Sequence, residues 1–139
     1  MERSIYSNLK KWKESPTRKP LILQGARQVG KTYILKEFGA HEYSEVVYIN
    51  CDDNNDMQNM FVDYDVDRII RSLSAISGVS IKPSTTLLIL DEIQEVERGL
   101  ASLKYFCEKA PEYHVAVAGS LLGITLHEGT SFPVGKVDM

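Results

Sequence analysis

Ile5, Leu9 and Trp12 fall at i, i+4 and i+7, one apolar stripe on a helix whose other face carries Lys10, Lys11 and Lys13. Ser15-Pro16-Thr17 is a turn that ends it. After Pro20 the pattern changes. Leu21-Ile22-Leu23-Gln24 is a short apolar run that predicts a buried strand, and Thr32 to Phe38 returns to a helical pattern with Gly39 as its expected C-cap. Val46, Val47, Tyr48 and Ile49 within Glu45 to Asn50 predict a second strand. From Val66, the residues Ile69, Ile70, Leu73 and Ile76 keep helical register up to Gly78, and these positions are expected in the core. Thr85 to Leu90 is an uninterrupted β-prone run, as expected of a central parallel strand with helices on both faces. Leu100, Leu103, Phe106 and Cys107 predict a helix stopping before Pro111, and His114 to Ala118 the next buried strand. A short helix over Leu121 to Leu126 follows, and Val134 to Val137, after Pro133, starts a fifth strand.

Strands alternating with helices define an α/β chain. At 139 residues it fits one domain, a leading helix over 1–15 followed by a body over 18–139, and 43% hydrophobic with 25% charged residues is ordinary for a folded protein. A net charge of −3 gives no support for a broad nucleic-acid footprint, which is normally basic. Lys10, Lys11 and Lys13 with Arg18 and Lys19 read either as a solvated face or as a small patch for a polyanion. Cys51 and Cys107 have neither CxxC spacing nor a His pair, so they are expected to be reduced thiols, Cys107 a core residue. There is no cationic leader before an apolar stretch and no apolar run near bilayer length, which sets the expectation of a cytoplasmic protein without a membrane role.

The chemistry lies in two strings. Gly25-Ala26-Arg27-Gln28-Val29-Gly30-Lys31-Thr32 matches GxxxxGK[ST], in which glycines let the backbone curl so that successive N–H groups converge on a phosphate. Lys31 adds a point charge toward the β and γ phosphates, and the Thr32 hydroxyl is a ligand for Mg²⁺. The order strand, glycine loop, helix is the one this site requires, since the following helix N-terminus favours an anion; Tyr33 continues the loop into that helix and completes the nucleotide-contacting set. The second string is Leu87-Leu88-Ile89-Leu90-Asp91-Glu92, which delivers two carboxylates at the carboxyl end of a strand, where open parallel sheets bind ligands. Asp91 is assigned to the Mg²⁺ shell through water, and Glu92 to polarising the attacking water.

The strings GARQVGKT, LLILDEIQ, LKYFCEKAPEYHVAVAGSLLG and SFPVGKV resemble the AAA-type ATPase module of prokaryotic predicted ATPases that carry a C-terminal domain of unknown function. The resemblance runs from about Arg18 to the last residue. It implies a three-layer P-loop NTPase sandwich with a mostly parallel five-stranded sheet in the order 5-1-4-3-2. It also implies that the helical lid and C-terminal effector domain lie beyond this chain, and that subunits assemble so that one completes the next one's site. No residue in the sequence specifies that assembly. At the tip of the strand after Asp91-Glu92, the AAA position that senses the γ-phosphate holds Ser120, shorter than the usual Asn or Thr; Ser120 equally suits capping the helix from Leu121.

The expected function is Mg²⁺-dependent ATP binding and hydrolysis, with Lys31, Thr32, Asp91, Glu92 and Ser120 at the chemistry. The alternative is a switch or assembly module that holds ATP without turnover. A phosphotransferase would need an acceptor site that the sequence does not show. ATP is preferred to GTP through the resemblance and because no Asn-Lys-x-Asp string occurs. Gln94 is a second-tier water-orienting residue, and Arg27, Arg68, Arg71 and Arg98 include no assignable arginine finger. The acidic stretch from Asn50 to Asp56 lacks the glycine and distal glutamate of a calcium loop and reads as solvated.

Overall fold

The structure, a computed structural model, describes residues 2–16, 18–23, 29–51, 61, 63, 65–93, 96 and 99–118, with the backbone alone for 2–5, 23, 29–32 and 100. Helix α1 spans Glu2–Glu14, β1 Leu21–Leu23, α2 Val29–Glu42 and β2 Glu45–Asn50. Helix α3 then spans Val66–Ser77, β3 Thr86–Asp91, α4 Gly99–Lys109 and β4 His114–Ala118. The strands form one parallel sheet in the order β1-β4-β3-β2. This is the 1-4-3-2 part of the expected order. The fifth strand expected at Val134 to Val137 lies outside the described residues.

The alternation of side chains along a strand sorts this sheet into two faces. Leu87 and Ile89 of β3 pack with Leu9 and Trp12 of α1 and Leu35 and Phe38 of α2. Leu88 and Leu90 pack on the other side with Ile69 and Leu73 of α3 and Leu103 and Phe106 of α4. Because both faces are covered, β3 is apolar without interruption from Leu87 to Leu90, all at 1% exposure or less. The result is a three-layer α/β sandwich.

Helix α3 is set by its ends and its stripe. The Asp65 carboxylate accepts from the Arg68 N–H at 3.2 Å as N-cap, and Gly78, at φ 75°, donates its N–H to the Ser74 carbonyl at 3.0 Å as C-cap. Ile76 departs from its expected core position and is 40% exposed. At about 100° per residue it lies only about 20° around the axis from the buried Ile69, so its exposure follows from its place in the last turn of α3 and not from its angle.

Two further expectations are corrected. Gly39 is not the C-cap of α2, which continues to Glu42. It is buried inside the helix, where an added Cβ would lie 2.5 Å from Val46 Cγ2 and 3.0 Å from Leu87 Cδ2. Its role is close helix–sheet approach. Cys107 is only half-buried, and the buried face of α4 runs through Ser102, Leu103 and Phe106 instead, with the Ser102 hydroxyl donating to the Gly99 carbonyl at 2.5 Å. Cys51 is the buried thiol, and neither cysteine is in a disulfide.

At the edge where β4 begins, a polar aromatic cluster ties α1 to the sheet. Trp12 Nε1 donates to the Lys19 carbonyl at 2.6 Å, and the Tyr43 hydroxyl meets His114 Nδ1 at 2.5 Å. Arg18 donates to the carbonyls of Lys13 at 3.0 Å and Pro111 at 3.1 Å, and Lys13 Nζ lies 5.1 Å from the Tyr43 ring centroid. Two members of the basic stretch are thus committed to holding the fold.

Candidate nucleotide site

The opposite sheet edge collects the chemistry. Leu23, Ala118, Asp91 and Asn50 lie in one register row across β1, β4, β3 and β2. With strands about 4.8 Å apart, the end of β1 is about 10 Å from Asp91. Five residues, 24–28, connect Leu23 to the start of α2 at Val29. Gly30, Lys31 and Thr32 therefore form the first turn of a 14-residue helix, where N–H groups lack intrahelical acceptors and the dipole is positive. Gly25, Ala26, Arg27 and Gln28 lie outside the described residues, as do Gln94, Arg98 and Ser120.

Asp91 continues the alternating series Leu87, Ile89, so its side chain is on the α2 face of the sheet. The Tyr48 hydroxyl donates to Asp91 Oδ2 at 2.5 Å, and the Asp91 carbonyl accepts the Cys51 N–H at 2.8 Å. Tyr48 in turn lies beneath Lys36, whose Nζ is 3.9 Å from the ring centroid. Glu92 has left-handed backbone, φ 55°, and donates its N–H to the Ala118 carbonyl at 2.6 Å. The strand ladder is thereby extended one residue before the chain turns away. A non-glycine residue in this region costs about 1 kcal/mol, a cost that recurs at functional sites.

Cys51 follows β2 and is buried in the core cluster on the other face of the sheet. Burial first, then the neighbouring Asp91 and Glu92 charges, push its thiol up to about 12, which favours the protonated form at neutral pH. Tyr33 is 58% exposed, and its hydroxyl donates to Glu37 Oε1 at 2.9 Å. It lines a cavity of about 250 Å³ with Tyr6, Ile34, Glu37 and His41. Arg68 is paired with Asp63 at 2.9 Å, and the Asp63 carboxyl is held below its usual range first by the hydrogen bonds from Arg68. Tyr48 is the side-chain partner of Asp91 that sequence reasoning missed. The only available signal for Tyr48 was a hydroxyl two residues before the end of a strand.

Among the described residues no group of three or more His, Cys, Asp or Glu side chains is placed to hold a metal. A Mg²⁺ ion in a phosphate site needs only one or two carboxylates besides phosphate and water oxygens, and Asp91 offers one at the strand end, on the sheet face that α2 covers. No helix among the described residues is long and apolar enough to cross a membrane.

A parallel sheet in the order 1-4-3-2, with a glycine-rich connection from β1 into α2 and a carboxylate pair at the end of β3, defines a P-loop NTPase fold. The chain belongs to the AAA domain family, whose profile matches residues 17–139, and that family is one of ATPase modules. No curated protein sequence matches the chain. Solved structures are similar to it, two of them as follows. The Walker-type ATPase PABY2304 of Pyrococcus abyssi is 18% identical with a TM-score of 0.55, over 99% of this chain and 50% of its own. The Orc1 protein of Aeropyrum pernix, solved in complex with DNA, is 15% identical with a TM-score of 0.57, over 99% and 42%. At these identities the likeness is one of fold. The chain spans half or less of the length of either structure.

Proposed function

We propose that the chain is a Mg²⁺-dependent ATPase core. The observation that carries this reading is the register row that sets Asp91 two strands from the end of β1, on the face covered by α2. The backbone N–H groups of residues 25–32 and the positive end of α2 hold the β and γ phosphates, and Lys31 adds a charge there. Thr32 would ligate Mg²⁺ through its hydroxyl and Asp91 would hold the ion's shell through water, and the ion would neutralise charge on the phosphates. Glu92 accepts a proton from the attacking water, its carboxylate set off the strand axis by the turn at φ 55°. Ser120, two residues in sequence after the last residue of β4, Ala118, is proposed to sense the γ-phosphate.

In this reading the module is cytoplasmic, assembles with further copies of itself, and switches a C-terminal effector domain of the full-length protein. Family membership supports nucleotide chemistry, and the carboxylate at Glu92 favours turnover over mere retention of ATP. The test is ATP binding and hydrolysis with Mg²⁺ by the wild-type chain, Glu92→Gln and Lys31→Ala. Glu92→Gln is expected to lose about a hundredfold or more in kcat while still binding ATP. Lys31→Ala is expected to abolish binding, and unchanged ATP affinity there would sink the site assignment. A rate per subunit that rises with protein concentration supports a site completed between copies. ATP bound without turnover by the wild-type chain, and unaffected by Glu92→Gln, would favour the non-hydrolysing switch.

A further inference from the structure

Tyr48 touches the carboxylate that ends β3 and the helix that follows the phosphate loop. It lies on β2 two residues before the row that holds Asp91, on the sheet face covered by α2. Its hydroxyl reaches Asp91 Oδ2 at 2.5 Å. An ionised carboxylate only accepts, so the phenol is the donor, in a short charge-assisted bond. Above the ring stands Lys36 Nζ, 3.9 Å from the centroid, and Lys36 is one helical turn beyond Thr32 on α2. The tyrosine thus joins the helix that starts at the phosphate loop to the carboxylate that ends β3.

We propose that Tyr48 is a positioning residue for the divalent cation that accompanies ATP: its hydroxyl holds the Asp91 carboxylate in one orientation while Lys36 fixes the ring against α2. The inference rests on the nucleotide reading above. An aspartate at a strand end has a broad terminal torsion, and a carboxylate that swings cannot hold one water of an ion with strict octahedral geometry in place. A donor fixed on Oδ2 removes that freedom and sets where Oδ1 points. Outer-shell partners of this kind are worth about 10- to 100-fold in metal affinity.

Tyr48→Phe removes the hydroxyl and keeps the ring, its packing and the Lys36 contact. ATP affinity is measured calorimetrically for the wild-type chain and the variant, once in EDTA and once with Mn²⁺ as the probe cation. The thermal midpoint of each is recorded. The expected result for Tyr48→Phe is an unchanged midpoint, unchanged affinity in EDTA, and a metal-dependent gain in affinity that is about tenfold smaller. Lys36→Ala, which frees the ring without touching the hydroxyl, is expected to shrink the gain about two- to threefold. A gain in Tyr48→Phe equal to that of the wild type would overturn the inference, as would a fall in EDTA affinity matched by a lower midpoint, which marks a structural role only. If the wild-type chain binds no ATP under either condition, the nucleotide reading fails and the inference with it.

Discussion

Gly39 shows how one residue can look like a stop signal and be a packing device. Glycine at the end of a helical pattern is the usual cap, and Lys36-Glu37-Phe38-Gly39 offers no local reason to read it otherwise. Its actual constraint comes from Val46 on β2 and Leu87 on β3, which lie where a Cβ would go. Gly39→Ala gains up to about 1 kcal/mol of helix propensity. It must also push a stiff, β-branched Val46 side chain, at an overpacking cost of about 1–3 kcal/mol. A net destabilisation of about 1 kcal/mol or more is expected, read as a lower urea midpoint with an unchanged slope. A midpoint equal to or above that of the wild type would show that β2 yields without cost.

Helix α3 shows the same division for an element. Its start and end were legible because capping is local: Asp65 precedes the apolar stripe and Gly78 follows it. Removing the cap side chain in Asp65→Ala is expected to cost about 1 kcal/mol, measured by urea unfolding, because the Arg68 N–H loses its acceptor. An unchanged midpoint would mean that water replaces the carboxylate fully. The extent of the buried face was not legible. Ile76 keeps the sequence period but leaves the sheet, since burial depends on how far the underlying strands reach, and no periodicity contains that length.

The whole molecule is held at the β4 entry edge by His114, which bridges α1, the turn at Tyr43 and the sheet. The ring is 4% exposed, packs against Trp12 and Tyr43 at centroid distances of 5.8 and 5.2 Å, and meets the Tyr43 hydroxyl at Nδ1. Burial keeps that phenol protonated, and with the phenol as donor the neutral ring carries its proton on Nε2. Burial first, then the charges of Arg18 and Lys13, lowers the His114 pKa to about 4. The folded value therefore lies below the unfolded one of about 6.5. Between those pH values the unfolded chain binds the extra proton, so this contribution to stability is complete above about pH 6.5 and is lost as pH falls toward about 4. The total is of order 3 kcal/mol. Urea unfolding at pH 7.5, 6 and 5 should show the loss, and His114→Gln should flatten it in that interval. An equally steep dependence in His114→Gln would assign the acid sensitivity to other groups.

What the sequence by itself determined was everything carried by local spacing: the α/β alternation, the glycines and lysine of the loop from Gly25 to Thr32, and the apolar run that ends in Asp91 and Glu92. Those features are local because a backbone loop shaped for phosphate and a strand with a polar tip each need particular residues at fixed short separations. The tertiary structure alone decided which residues far apart in the chain meet. It brought Tyr48 to Asp91, Lys36 to Tyr48, Tyr43 to His114 and Val46 to Gly39, and put Cys51 rather than Cys107 in the core. Each of those contacts follows from strand register and from the angle at which a helix lies on the sheet. Both emerge from packing the two faces together, not from any one segment.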